Sequence, residues 1–325
     1  MRKLRGFGPG QHPPDQGADR RVVGRCGGGL SAPSSIIAFS QRTEFWYDAK
    51  MKCIGNSAPQ GALYRAGAAG AFVTGVRTHG RVSFALDELT RSTGLSTLAA
   101  RRQLSRLGGD VVRVAKRQEY FLVVDPEHRA MGAPPPAWWL DAYFQWLGRP
   151  YYLALQSAAA AYGSSAQAPQ VTQVMTDRPR KEVEIGRIRV RFFVKAKVAD
   201  TQVSALAGAF APLAVSSPAA TAIDLVRYAD RMGGIERAAE TLQPLLPRVT
   251  ATDLRVSLGT ADIPTVQRLG FILVALGWHH LANVAARQLP GRARRVALSV
   301  GTPQAAPHAG RATDKRWAVA VNATL

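Results

Sequence analysis

The sequence predicts an α+β fold in two parts, a small helical unit closed by a β-hairpin and a larger mixed α/β domain behind it. Between residues 59 and 126, helical periodicity leads into a glycine turn, a second helix and two alternating strands. The run Pro134-Pro135-Pro136 then interrupts the chain. Beyond it, strand-like and helix-like segments interleave to the end, the pattern of a mixed layer fold. A length of 325 residues accommodates two modest domains.

Residues 1–50 contain Gly8-Pro9-Gly10, Pro13-Pro14 and Gly27-Gly28-Gly29 with little apolar periodicity, so a disordered N-terminal extension is expected there. Met51 stands just ahead of recognisable structure as an alternative start. The glycine triplet lacks a following Lys-Ser/Thr and a preceding strand, which argues against a phosphate loop. A helix is expected over residues 61–78, weakened by Gly67, Gly70 and Gly75. From Phe84 the pattern reads as a second helix that stops at Gly94, followed by a third with Ser96 as its N-cap. In the third helix Ala100, Leu104 and Leu107 recur at i, i+4 and i+7 and face inward. Leu98, Arg102 and Ser105 then face outward, flanked by Arg101 and Arg106. Gly108-Gly109 ends this helix, and residues 111–114 and 120–124 alternate as two strands joined by Lys116-Arg117-Gln118.

Helix, helix, helix and hairpin in that order match a winged helix-turn-helix over residues 59–126. A basic outward helix face suits a DNA major groove, because arginine bridges guanine O6 and N7 or a pair of phosphates. Free amides near Ser96 and Thr97 are placed to cap a phosphate. The candidate DNA-binding residues are Ser96, Thr97, Arg101, Arg102, Ser105, Arg106, Lys116 and Arg117. The bland alternative is a solvated helix face, and the basic tip of the following hairpin favours DNA over it.

A Pro-rich linker is expected over residues 127–136, and an α/β domain over 137–325. Within it, residues 138–147 and 151–162 read as helices, 171–175 as a strand, and 183–194 as a hairpin turning near Gly186. A helix starts at Pro218 with Ser217 as N-cap, carries Ala222, Leu225, Val226 and Ala229 on its core face, and is expected to stop at Gly233-Gly234. Residues 295–300 and 316–321 alternate as two short strands around a Gly/Pro/His-rich loop.

Forty-two Lys and Arg against 22 Asp and Glu leave +20, spread along the chain, and such a balance suits a polyanionic partner, nucleic acid or an anionic membrane surface. Two cysteines exclude a disulfide scaffold and a four-thiolate zinc site. No apolar stretch reaches about 18 uninterrupted residues, and a cytoplasmic protein without membrane contact is expected. Arg187, Arg189 and Arg191 alternate with Ile188, Val190 and Phe192, which makes one strand face a second candidate polyanion surface, for DNA flanks or RNA. Arg178, Arg180, Lys181, Lys195 and Lys197 lie close by in sequence. The competing reading is a half-buried strand whose outer face Glu182 and Glu184 neutralise across the hairpin.

Catalytic patterns are sparse. His279-His280 point about 100° apart on a helix, and neither a His-Glu-x-x-His nor a Cys-x-x-Cys spacing occurs. The nuclease-like acid and lysine pair is confined to Asp48-Ala49-Lys50, Glu182-Val183-Glu184 lacks its lysine, and Asp177 and Asp224 have no second carboxylate suitably spaced for a shared metal. No Gly-x-Ser-x-Gly elbow is present. No enzyme activity, cofactor or metal is expected.

Several segments of the second domain, in their order, resemble the AbiEi family of bacterial antitoxins: YYLALQSAAAAYG at residues 151–163, QVMTDRPR at 173–180, VSSPAATAIDLVRY at 215–228 with Gly233-Gly234, and QRLGFIL at 267–273. With the helix-turn-helix, the resemblance covers residues 60 to 322. It implies a cytoplasmic repressor whose winged helix binds operator repeats of its own operon and whose C-terminal domain counteracts a toxin; a winged helix reading an inverted repeat is in turn expected to self-associate as two protomers on two half-sites. The toxin implied is an AbiEii-type nucleotidyltransferase encoded next door, often neutralised without a stable complex. The family's DNA-reading region maps onto Ser96, Thr97, Arg101, Arg102 and Arg106. The N-terminal extension departs from the family, and the chain ends soon after Val321-Asn322, earlier than many relatives. The alternatives are a solitary winged-helix transcription factor with a sensing C-terminal domain, and a DNA-processing nuclease.

Overall fold

The helix α1 (Gln60–Thr78) leaves helical geometry at Gly67, where φ is 68° and ψ 167°. A side chain there would meet the Gln103 carboxamide, which accepts a hydrogen bond from Ala69 N at 2.9 Å and so caps the segment that follows. The computed structural model describes residues 60–164, 169–206, 212–300 and 312–325, with side chains from residue 67 onward. The expected N-terminal extension, the Asp48-Ala49-Lys50 pair and most of the loop before residue 312 lie outside the described residues.

Phe84 was expected to open a helix, and instead belongs to a strand, β1 (Ser83–Ala85), so that α2 (Leu86–Thr93) starts two residues later. The reason is aromatic packing. The Phe84 ring stacks on Phe121 at 5.6 Å and meets Phe72 edge-on at 5.2 Å, which requires extended backbone beside its partner strand. Gly94 ends α2 in the left-handed conformation with its N–H on Thr90 O. Ser96 then caps α3 (Thr97–Arg106), its side chain accepting from Ala99 N at 3.3 Å. Ala100 and Leu104 are buried against Val73, Phe84 and Leu89. β2 (Val111–Arg113) and β3 (Tyr120–Val123) form the antiparallel hairpin, and β1 joins it in the order β1-β3-β2.

Residues 131–136 are packed against the rest of the protein. Met131 O accepts from Arg187 N at 2.9 Å, Pro134 O accepts from Trp139 Nε1 at 3.1 Å, and Ala133 is buried. After a short 3₁₀ turn comes α4 (Leu140–Leu147), then β4 (Tyr151–Leu153). The expected helix over 151–162 is therefore strand at its start. Tyr151 to Leu153 pair with two neighbouring strands, and only after Leu155, held at φ 56°, does α5 (Leu155–Ala161) run. Next follow β5 (Thr172–Thr176), β6 (Val183–Ile185), β7 (Ile188–Val194), β8 (Val203–Ala205) and β9 (Ala214–Ser216). They complete a six-stranded sheet of order β6-β7-β5-β4-β9-β8, with β5 parallel to β7 and β4 parallel to β9. The β6–β7 turn falls at Gly186, whose φ of 57° and contact with the Met131 carbonyl leave no room for a Cβ.

Helices cover this sheet. α6 (Pro218–Arg227) is capped by Ser217, which accepts from Ala220 N at 3.2 Å. It ends at Arg227, earlier than the expected glycine stop, because a 3₁₀ turn intervenes, and Gly233 instead precedes α7 (Gly234–Leu242). α8 (Ala251–Leu258), α9 (Ile263–Ala275) and α10 (His279–Ala286) follow. The end of the chain contributes β10 (Val296–Ala297), β11 (Thr313–Asp314) and β12 (Val319–Ala320), one more strand than expected. One apolar cluster continues from the first half into the second, joining Val114, Tyr120 and Leu122 to Trp139, Tyr143 and Val174.

Candidate nucleic-acid interface

The Ser96 cap and the burial of Ala100 and Leu104 fix which side of α3 faces water. Ser96, Thr97, Leu98, Arg101, Arg102, Ser105 and Arg106 are all exposed, and Lys116 and Arg117 stand exposed at the β2–β3 turn. Leu98, at 57 % exposure, puts an apolar contact in the middle of this basic face. α3 carries no acid in its first turn, so nothing there opposes the positive end of its dipole.

The cations of this face differ in their partners. Arg101 pairs with Glu119 at 3.1 Å, and Arg113 reaches the same carboxylate at 3.6 Å. Glu119 thus bridges α3 to the hairpin. Among the described residues, Arg102, Arg106, Lys116 and Arg117 have no ion-pair partner. Exposed guanidinium and ammonium groups without a protein counter-charge are free to neutralise phosphates, which releases the small cations condensed on a nucleic acid.

The hairpin arginines are arranged differently. Arg189 and Arg191 project from β7 to solvent while Ile188 and Val190 are buried, as the alternation predicts. The alternation lapses at its end, where Phe193 is buried and Phe192 half-buried. Arg189 lies 3.4 Å from Glu184, its direct cross-strand neighbour, and Arg191 lies 2.9 Å from Glu182. Arg187 at the turn is exposed and has no ion pair among the described residues. Lys195, grouped by sequence with these surface cations, is a core residue instead.

Lys195 belongs to a polar cluster that sequence reasoning missed. Its Nζ donates to Asp224 Oδ1 at 3.0 Å and to the Tyr152 hydroxyl at 3.3 Å, and that hydroxyl donates to Asp224 Oδ2 at 2.8 Å. Lys195 is 3 % exposed and Asp224 not at all. Burial pushes the Asp224 carboxyl above its ordinary range, with Lys195 pulling against it, and burial beside Asp224 pushes the Tyr152 phenol up as well. The cluster pins α6 onto β4 and the end of β7. Its one sequence signal is a lone acid inside the apolar run from Pro218 to Val226.

His279 and His280 are both exposed at the start of α10. Among the described residues, no three His, Cys, Asp or Glu side chains are grouped to hold a metal ion, and no helix is long and apolar enough to cross a membrane.

Residues 152–275, from β4 to the end of α9, match the AbiEi antitoxin C-terminal domain family. The chain carries an AbiEi antitoxin domain. The buried Tyr152, Lys195 and Asp224 and the β6–β7 hairpin all lie inside it. AbiEi is a family of antitoxins and regulators. The fold is similar to the crystal structure of the RV2827C protein from Mycobacterium tuberculosis, with a TM-score of 0.56 and 16 % identity, over 78 % of this chain and 94 % of that one. The antibiotic-resistance factor ANT(2'')-Ia superposes with a TM-score of only 0.25 at 11 % identity, over 44 % of this chain and 90 % of that one, and carries no argument about the fold. No curated protein sequence matches the chain.

Proposed function

We propose that the protein is an autoregulating antitoxin, in which residues 59–126 act as a winged helix that binds operator DNA and the AbiEi domain counteracts a toxin. The observation that carries the DNA reading is the grouping of Arg102 and Arg106 on the outer face of α3 with Lys116 and Arg117 at the hairpin tip. In this reading α3 lies in the major groove, with Arg102, Ser105 and Leu98 toward the bases and Arg106 toward a phosphate. The amides behind Ser96 and Thr97 meet a second phosphate, and the hairpin is the wing, with Lys116 and Arg117 along the neighbouring backbone. Arg101 takes part through Glu119, holding the wing against the helix. Two protomers then occupy an inverted repeat. The hairpin arginines form a subsidiary polyanion surface at most, with Arg187 its free member.

The toxin partner follows from the antitoxin family, and a nucleotidyltransferase encoded beside the gene is the partner we propose. The test of the DNA half is a titration of the full chain against DNA from directly upstream of its reading frame. Arg102→Ala with Arg106→Ala should abolish the preference for that DNA in a protein that remains folded. Near-native affinity would place the recognition surface elsewhere. Growth rescue on coexpression with the adjacent reading frame tests the antitoxin half, and a neighbour that is harmless on its own would contradict it.

A further inference from the structure

The turn that carries Lys116 and Arg117 is held from two sides by adjacent residues. Glu119 receives Arg101 from α3 at 3.1 Å. Gln118, one residue earlier, is held from beyond residues 131–136, because its Oε1 accepts a hydrogen bond from the Tyr143 hydroxyl on α4. The Tyr143 ring is fully buried, with Tyr120 of β3 at 5.4 Å and Trp139 at 5.8 Å. Its position is therefore set by the core and not by the turn.

A third group fixes the direction of this contact. Arg180 donates to the Tyr143 hydroxyl at 2.9 Å, and its guanidinium lies 5.5 Å from the Tyr143 ring and 5.7 Å from each of the Phe144 and Phe192 rings. A guanidinium only donates and does not lose its proton in a protein. The hydroxyl oxygen is thus occupied as an acceptor, and its own hydrogen is directed to Gln118. Burial also pushes the phenol above its ordinary pKa, with the nearby Arg180 opposing that shift, so the hydroxyl keeps the hydrogen it donates. A donor polarised by a neighbouring cation makes a stronger hydrogen bond than an isolated phenol does.

We propose that Tyr143, oriented by Arg180, is a positioning residue for DNA recognition: by holding Gln118 it sets Lys116 and Arg117 where the phosphate backbone runs beside the groove that α3 occupies. This rests on the winged-helix reading above. A hairpin turn joined only to its own strands would sweep its cations through solvent and lose conformational freedom on binding. Anchored from both sides, it has already lost that freedom, and binding costs less.

The experiment uses the full chain, a labelled duplex from directly upstream of its reading frame, and a shuffled duplex of equal length, each titrated over a range of salt. The variants are Tyr143→Phe, Gln118→Ala, the two combined, and Lys116→Ala with Arg117→Ala as the reference for a lost wing. Tyr143→Phe and Gln118→Ala should each weaken binding about tenfold and make the slope of log affinity against log salt shallower by about 1 to 2, approaching the wing reference. The combined variant should bind no worse than either single one, since both break the same contact. Loss of packing alone would lower the melting temperature and leave the salt slope of the folded protein unchanged. Gln118→Ala alters a half-buried turn residue and leaves the aromatic core intact, so it decides the matter where Tyr143→Phe unfolds early. Wild-type affinity and slope in Gln118→Ala, or additive losses in the combined variant, would overturn the positioning role. Wild-type binding by the wing reference, with Arg102→Ala and Arg106→Ala still defective, would overturn it while leaving the α3 reading standing. Absence of any preference for the upstream duplex in the unaltered protein would remove the functional reading itself, and the positioning role with it.

Discussion

Replacing Lys195 with Met tests how the AbiEi domain is held together. The ammonium and the Asp224 carboxylate are 3.0 Å apart and shielded from water, and at an effective dielectric near 20 their gross attraction is about 5 kcal/mol. Most of that offsets the cost of removing both ions from water, so the pair contributes little net stability. Removing one member is different, because the remaining charge keeps its desolvation cost and loses its partner. Lys195→Met should therefore cost about 3–5 kcal/mol at neutral pH, roughly a 10 °C fall in melting temperature for a unit of this size. Adding Asp224→Asn removes the stranded charge while leaving an amide oxygen for the Tyr152 hydroxyl, and should restore at least half of the loss. The pH dependence has a definite sign. The Asp224 carboxyl is already raised above its ordinary 3.8 by burial, and without Lys195 to oppose burial it rises further. A carboxyl with a raised folded-state pKa favours folding at pH below its unfolded value, and this contribution is lost as pH climbs through the folded-state value. The deficit of Lys195→Met relative to the parent should thus be largest near pH 7 to 8 and shrink toward pH 4. Denaturant titrations of parent, single and double variants at several pH values measure it. A deficit below about 1 kcal/mol at pH 7, a deficit that does not change with pH, or a double variant no better than the single would refute the reasoning.

The remaining predictions concern packing and surface charge. Gly270→Ala places a Cβ 2.0 Å from the Trp317 ring, which should cost about 1–3 kcal/mol by overpacking and shift the tryptophan emission as the C-terminal strands lift. Gly186→Ala forces a Cβ to 2.3 Å from Met131 O at a positive φ, and limited proteolysis should then cut residues 126–136 sooner than in the parent. Ser217→Ala removes the cap of α6 and should cost about 1 kcal/mol in denaturant titration. Arg189→Ala with Arg191→Ala breaks two solvent-exposed pairs, each worth about 0–1 kcal/mol, and thermal melting should move by only a few degrees.

Elements whose logic is local were readable in the sequence. Ser96 with Ala100 and Leu104 defines α3, Ser217 with Pro218 defines the start of α6, and Gly186 marks a hairpin turn, each within one helical turn or a few strand residues. Features that depend on distant partners were not. The residues of β4 look helical because an apolar run has no clear period, and they are strand because β5 and β9 supply hydrogen bonds on both sides. β1 is too short to leave a pattern and exists through its pairing with β3. Lys195 resembled a surface cation by its neighbours in sequence, and Asp224, 29 residues away, explains its burial. The same limit applies at the candidate interface. The exposed arginines of α3 followed from helical spacing, whereas the Gln118 contact with Tyr143 spans 25 residues and a proline run.

Charge, too, acquires meaning only through pairing. A surplus of 42 basic over 22 acidic side chains guarantees cations without partners, yet says nothing about where they stand. Several acids of the second domain sit opposite arginines: Glu182 and Glu184 face Arg191 and Arg189, and Asp177 faces Arg149. In the first half Glu88 faces Arg81 and Asp110 faces Arg129. The stretch from Ser96 to Gly109 contains three arginines and no acid at all, and among the described residues the carboxylate that pairs with one of them is Glu119, shared by Arg101 and Arg113. The unpaired positive charge at α3 and the hairpin tip thus comes from a local group of bases, Arg102, Arg106, Lys116 and Arg117, together with the lack of acids between Ser96 and Gly109. A helix in solvent gains from pairing its charges at i, i+4, as Asp87 and Arg91 do on α2. α3 has no such pair, and on a face already exposed and capped by serine this leaves Arg102 and Arg106 available to a phosphate backbone in the proposed reading.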